Sequence, residues 1–348
     1  NAGGGGVNRN VIINGAMNVA QRGTSHASVA NNAYTLDRFS FTYSQDGAFT
    51  VTQDSSSPDG FANSLKLDVT TADSSLAASQ YLIMEHRIEA QNLQHLHFGK
   101  SSAKNITLSF YVKSNKTGTY GVSIIQSDNS SKIANLTYTI NSADTWEEKS
   151  LTFTGDTSGV INDDNGEGLK VGFTLAVGST WTSGDTSASF RTFVNGNYGG
   201  GHTVNILDST SNEWFITGVQ LEVGQNPTSF EHEPFERTVA KCQRYYQRYP
   251  FISETTSGLI AHQYSATVAY GGFRFKRVMR VEPTFSLTAD ADDFTAYNGS
   301  GRTVSAVNSD GMHLDGCSMA FTTSSATVGN ALAVNGNADG GFQFDSEL

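Results

Sequence analysis

Ile106-Thr107-Leu108-Ser109-Phe110-Tyr111-Val112 decides the fold class. Its large apolar residues, Ile106, Leu108, Phe110 and Val112, fall on every second position. An extended chain puts all four on one side, whereas a helix would scatter them round its circumference. The same period of two recurs on both flanks. Upstream it places Phe39, Phe41 and Tyr43, then Phe49 and Val51, then Leu65, Leu67 and Val69. Downstream it places Tyr120, Val122 and Ile124, then Leu136, Tyr138 and Ile140, then Leu151 and Phe153, then Val171, Phe173, Leu175 and Val177. Residues 214–223, with Trp214, Ile216, Val219, Leu221 and Val223, read as a central strand of the core. Residues 7–21 read as a strand entering the domain. Gln45-Asp46-Gly47 reads as a hairpin turn, because Asp-Gly tolerates positive φ. One short helical turn is expected at 90–94.

Composition agrees with many short strands joined by turns. The 348 residues are 37% hydrophobic, with 21 Phe and 13 Tyr, enough to fill a core. Gly is abundant at 35 and Pro scarce at five, and Ser, Thr and Asn crowd the gaps between apolar runs. The formal charge is −11, and Lys and Arg form no basic run, which argues against a nucleic-acid partner. No run of 18 apolar residues is present, so no membrane insertion is expected. The sequence opens on Asn1 and a glycine run, which suggests numbering that starts inside a longer or processed chain. Cys242 and Cys317 make no disulfide framework and read as buried reduced thiols.

The fold expected is all-β: an N-terminal jelly-roll β-sandwich over 1–234, a helical linker over 235–249, and a smaller C-terminal β-sandwich over 250–348. The linker reading comes from Phe235, Val239, Cys242, Tyr246 and Tyr249 at spacings of three and four, with Arg237, Lys241, Arg244 and Arg248 on the other side. Residues 178–212 carry little apolar alternation. A stretch of that length in a compact domain is usually functional or used in assembly.

The search for reaction chemistry yields no catalytic residues and no cofactor. Gly99-Lys100-Ser101 matches only the end of a phosphate loop, since Gln94 stands where Gly is required. No Gly-x-Ser-x-Gly elbow and no His-Glu-x-x-His helix occur. Glu231-His232-Glu233 reads as a solvated linker. Asp163, Asp164 and Glu167 flank a Gly-containing turn and are the weak candidates for a metal, although they miss the alternating spacing of a calcium loop. Glycan sites on β-sandwiches use an exposed ring with polar groups around it. Trp181, Tyr198 and His202, in the long irregular stretch, are the glycan-binding candidates. Packing against a neighbouring strand or subunit is the plainer reading of each. Trp214 reads as core, and Trp146 as ambiguous.

Three stretches, in this order and spacing, resemble a family of phage tail-fibre proteins. They are Asn10-Val11-Ile12-Ile13-Asn14-Gly15 continuing to Gln21-Arg22-Gly23-Thr24-Ser25; Tyr34-Thr35-Leu36-Asp37-Arg38-Phe39; and 214–224 with Phe230-Glu231 and Cys242-Gln243-Arg244-Tyr245-Tyr246. Residues 279–284 and 344–348 are similar to the ends of such fibres. The resemblance therefore covers most of the chain. It implies a jelly roll like that of carbohydrate-binding modules, a place in a virion tail fibre, other phage tail proteins as partners, and a homotrimer. Ala20 departs from the Trp that the family commonly carries. Asn18 and Thr217 stand where related modules place acidic calcium ligands. Read as side chains alone, Asp37, Arg38 and Arg22 suggest ion pairing at a strand end. The motifs therefore read as scaffold, with recognition left to loops.

The function expected is a structural subunit of the distal, host-facing part of a tail fibre, binding host cell-surface polysaccharide. It would be assembled in the host cytoplasm and act outside the cell. The alternatives are a capsid or tail decoration or joining protein, and a glycan-degrading spike.

Overall fold

The computed structural model describes residues 8–128, 131–250, 259–288, 290–298, 300–324, 326–336 and 341–348. The chain divides into two compact units, Asn1–Thr238 with Leu348, and Val239–Glu347. Both are built almost wholly of antiparallel strands. Val7, the first residue of the expected entry strand, lies outside the described residues.

The first unit is a sandwich of two sheets. The six-stranded sheet has the order Ser25–His26, Ala48–Asp54, Ser64–Thr71, Glu213–Val223, Ile106–Ser114, Glu147–Phe153. The seven-stranded sheet has the order Ser187–Thr192, Lys132–Ile140, Gly118–Gln126, Glu167–Val177, Tyr81–Glu89, Phe39–Ser44, Ala33–Tyr34. Their alternating residues meet in one core, with Leu108, Phe110, Val112, Phe173, Val122 and Trp214 all fully buried. Burying each such side chain contributes roughly 1.5–3 kcal/mol. Glu213–Val223 does run through the middle of its sheet, paired on one side with Ser64–Thr71 and on the other with Ile106–Ser114. The helical turn forms as the short 3-10 helix Ala90–Leu96.

Two local expectations are corrected. Gln45-Asp46-Gly47 does not close a hairpin. It carries the chain from Phe39–Ser44 in one sheet to Ala48–Asp54 in the other, held by Asp46 N–H donating to Asp73 Oδ2 at 3.1 Å. Residues 8–21 form no strand either. Asn14 and Met17 have φ of 64° and 58°, which breaks extension. Side chains hold the segment instead. Asn14 Oδ1 accepts from Val19 N–H at 2.9 Å, and its Nδ2 donates to Val19 O and Asp37 O.

In the second unit the expected smaller sandwich takes the form of a closed barrel with a companion sheet. The barrel order is Leu259–Gln263, Val268–Arg274, Gly316–Thr323, Gly301–Asp310, Phe294–Tyr297, Ala331–Gly336. Closure removes exposed sheet edges. Gly271 serves the tight approach of neighbouring strands, since a Cβ there would lie 2.9 Å from Ile260 O. The companion sheet is Tyr246–Pro250, Gly341–Asp345, Thr284–Leu287. Phe342 and Phe344 lie at the centre of the core, against Phe273, Phe285 and Phe294.

The expected helix over 235–249 is only Phe235–Cys242. Tyr246–Pro250 leaves it to pair with Gly341–Asp345. A helix of eight residues gains little from its own hydrogen bonds, so a strand ladder beside a phenylalanine-rich core overrides the spacing of three and four. Phe235, expected on its apolar face, is 60% exposed.

Candidate functional site

The three residues singled out as glycan binders do not form an open site. The segment after Val177 folds back over the outer face of the seven-stranded sheet. There Tyr198 joins Ile83, Ile125 and Ile133 in a small apolar cluster outside the main core, with Trp181 and Phe193 packed against it. Tyr198 is only 6% exposed and donates its O–H to Glu85 Oε1 at 2.6 Å. Burial, and then the Glu85 carboxylate, push its hydroxyl far above the usual phenol range. Trp181 is half-buried, donates Nε1–H to Ser79 O at 2.8 Å and stands edge-on to Tyr81 at 4.8 Å. His202 is 6% exposed, and its Nδ1 accepts from Gly121 N–H at 3.1 Å. That bond fixes the proton on Nε2, which donates to Val204 O. Burial holds the ring down at about 4. Tyr198 and His202 are thus a roof on the sheet, and the long stretch that carries them is packed rather than open.

The acidic candidates separate in the same way. Asp163 and Asp164 are exposed, and Asp164 Oδ1 accepts from Gly166 N–H at 2.8 Å in a local turn. Glu167 begins a strand, pairs with Arg87 Nε at 3.1 Å and accepts from Ser127 Oγ. Among the described residues, no three His, Cys, Asp or Glu side chains gather to hold a metal. Asn18 and Thr217 do come together, but around Asn63. Asn63 Nδ2 donates to Asn18 Oδ1 at 3.0 Å, and Thr217 Oγ1 donates to Asn63 O at 2.8 Å. Amide and hydroxyl groups that satisfy one another, with no carboxylate, do not fit a calcium ion.

The recognisable motifs are joints of the sandwich. Asn10 Nδ2 donates to Val219 O at 3.1 Å, and Leu221 N–H donates to Asn10 Oδ1 at 3.0 Å. Gly15 lies so close to the same strand that a Cβ would fall 2.0 Å from Val219 O. Glu231 is no free linker residue. Its carboxylate accepts the backbone N–H groups of Asn8, Arg9 and Asn10 at 2.6, 2.7 and 2.9 Å. Burial pushes Glu231 up, but these bonds outweigh it and hold the group below the usual range. Asp37 is buried and accepts from Gln21 N–H and Gln21 Nε2 at 2.6 Å each. Arg22 and Arg38 both lie over the Tyr34 ring, at 5.4 and 6.0 Å.

The outer face of the six-stranded sheet has a different character. Trp214 points into the core, so Phe215, its neighbour in the strand, points out. Phe215 pairs with Lys66 on one side and Lys113 on the other. Trp146 follows beyond Lys113, immediately before Glu147–Phe153. Lys113 Nζ stands 4.1 Å from the Phe215 ring centre and 5.4 Å from Trp146. Lys66 Nζ is 5.5 Å from Phe215 and pairs with Glu213 at 2.6 Å. Burial pushes the Lys66 ammonium down, but Glu213 and Asp68 outweigh it and raise the group. In the next row Thr217 pairs with Tyr111, and Tyr111 with Glu148. Tyr111 is raised by burial and by Glu148, and meets Phe61 at 5.4 Å. The face therefore offers half-exposed rings, Trp146 and Tyr111, set among cations and carboxylates.

Tyr111 and Phe215 were not singled out from the sequence, although a signal was there. Each falls between core positions of an alternating run and so lies on the outer side of the sheet, where Tyr111 stays half-exposed and Phe215 is covered by Lys66 and Lys113.

No family model matches the chain, and no curated protein matches it. Solved structures show distant likenesses. The enzymatically active domain of tailspike protein 4 from bacteriophage CBA120 is 14% identical over 62% of this chain, with a TM-score of 0.33. The chain spans only 22% of that protein's length. The CBM22-1 xylan-binding domain of Paenibacillus barcinonensis Xyn10C is 9% identical over 58% of this chain and 94% of its own, with a TM-score of 0.29. The family 11 carbohydrate-binding module of a Clostridium thermocellum cellulase is 11% identical over 58% of this chain and 97% of its own, at 0.31. None of these reaches a TM-score of 0.5, so the fold assignment rests on the strand pairing itself.

Proposed function

We propose that the chain is a non-enzymatic subunit of a phage tail fibre, and that its first unit holds host-surface polysaccharide. The binding surface is the outer face of the six-stranded sheet, along Lys66, Lys113 and Trp146 with Tyr111 beside them, laid over the buried ring of Phe215. One observation carries this reading: that face keeps half-exposed rings among charged side chains, while the opposite sheet is roofed by its own chain. A pyranose ring has an apolar C–H face that packs on an aromatic ring, and hydroxyls that bond to lysines and carboxylates around it. The place in a tail fibre, and a trimer that would multiply weak single contacts, are supported by the motif resemblance.

The test is an array of bacterial capsular and lipopolysaccharide oligosaccharides probed with the whole chain. Binding is expected, and Trp146→Ala and Tyr111→Ala should abolish it without loss of folding. An array with no binder, or one on which both variants bind like the parent, would overturn the assignment. Labelling of intact particles with an antibody to the chain should mark fibre tips. Label on the capsid would favour a decoration role instead.

A further inference from the structure

The barrel of the second unit carries a feature that the sheet face of the first unit does not explain. Phe294–Tyr297 alternates cleanly: Phe294 and Ala296 are buried in the barrel, while Thr295 and Tyr297 point outward. Tyr297 is 49% exposed. Its cross-strand partners are Ala333 on one side and Gly301 on the other. Among the described residues, these two strand partners are too small to wall the ring. A Cβ built on Gly301 would lie 3.7 and 3.9 Å from the ring's Cδ2 and Cε2, so the ring extends over the glycine and is supported by backbone.

Beside this ring is a cleft of about 310 Å³. That is at the small end of the range for ligand clefts, roughly 300–1,000 Å³. Thr295 and Asn335, paired across adjacent strands, supply a hydroxyl and an amide to it. Asp292 and Asp293 stand at the rim, the second placed by accepting from Asp290 N–H at 3.0 Å. No lysine or arginine is among the described residues that line it.

We infer that this cleft is a second carbohydrate site, on the barrel, that takes a neutral or amino hexopyranose stacked on Tyr297. The supported ring gives the apolar platform. Thr295 and Asn335 can both donate and accept with sugar hydroxyls. The two carboxylates accept from hydroxyls or pair with an ammonium, and they repel a uronic acid or a phosphorylated sugar. The site stands apart from the sheet face in its unit, its residues and its ligand preference.

The probes are methyl β-D-glucopyranoside, glucosamine and glucuronic acid, observed by saturation-transfer NMR with the whole chain. In Trp146→Ala, where the cationic sheet face of the first unit is disabled, the first two should receive saturation and the third should not. Tyr297→Ala should weaken binding about tenfold or more, and Tyr297→Trp should restore it. Trp146→Ala should leave these signals intact. The site is overturned if neither of the first two probes binds, if glucuronic acid binds Trp146→Ala as well as they do, or if Trp146→Ala alone removes the signals. It is also overturned if Tyr297→Ala binds like the parent at an unchanged unfolding midpoint. Should Tyr297→Ala lower that midpoint, Asp292→Ala decides on an exposed side chain: loss of glucosamine binding supports the site, and retention overturns it.

Discussion

Tyr198 O–H donates to Glu85 Oε1 at 2.6 Å, beneath the segment that roofs the seven-stranded sheet. The Glu85 carboxylate also meets Lys170 at 3.2 Å and Arg87 at 2.8 Å, and is almost fully buried. A carboxylate in that position must keep its donors. Tyr198→Phe removes one donor and little volume, so it should cost about 1–3 kcal/mol of unfolding free energy. Urea unfolding of the variant should show a lower midpoint at an unchanged slope. Glycan binding should not change, because the roof is not the binding face. A variant as stable as its parent would mean that water replaces the phenol freely.

His202 gives the roof a pH dependence whose sign is fixed. Its folded value is about 4, from burial, against roughly 6.5 in an unfolded chain. Between those values the unfolded state takes up a proton that the folded state does not, so stability falls as pH drops through that window. The full loss is about 3 kcal/mol between pH 7 and pH 4. Asp37, raised by burial, acts with the opposite sign at the acidic end. The informative quantity is therefore the difference between the parent and His202→Gln, measured by chemical unfolding from pH 4 to 7. The variant's stability should be the flatter of the two, and parallel curves would refute the assignment.

Gly15 joins the first motif to the third. Adding a methyl group there would place it 2.0 Å from Val219 O, where backbone must move. Val219 N–H donates to Gly15 O at 2.9 Å, so that movement also costs a hydrogen bond. Gly15→Ala should destabilise the first unit by about 2–4 kcal/mol. Gly60→Ala is the control. Gly60 has φ of +91° with no atom within 4 Å of a built Cβ, so only backbone strain of about 1–2 kcal/mol applies. Thermal unfolding should rank Gly15→Ala well below Gly60→Ala.

How far the sequence reveals this molecule depends on which force places each residue. Ile106, Leu108, Phe110 and Val112 are positioned by burial on one face, and burial leaves a period that can be read. Tyr246 and Tyr249 carry a helical spacing, yet a strand far along the chain captures Tyr246, which pairs with Asp345. No local pattern contains that partner. Asp46-Gly47 has hairpin chemistry, but the sandwich needed a crossing between sheets at that point. Trp181, Tyr198 and His202 looked free because their stretch lacks alternation. Their contacts are single side chains on a sheet's outer face, and such contacts have no period. Trp146 and Tyr111 were legible only as aromatic residues at positions that did not need them.

Trp146 and Trp181 give the sharpest separation between scaffold and surface. Trp181 fills space between Tyr81 and Tyr198 and satisfies Ser79 O. Removing it opens a cavity and an unpaired carbonyl, so Trp181→Ala should cost about 2–4 kcal/mol and leave glycan binding intact. Trp146 meets only the Phe215 ring, edge-on at 6.1 Å, and stays half-exposed. It lies at the end of a row of side chains, with Lys113 over its face. Trp146→Ala should change stability by no more than about 1 kcal/mol while binding to the array is lost. Calorimetric unfolding and array binding of the two variants settle the matter together. If Trp181→Ala abolished binding at full stability, the roof would have to be lifted to admit a sugar, and the binding face would be the seven-stranded sheet.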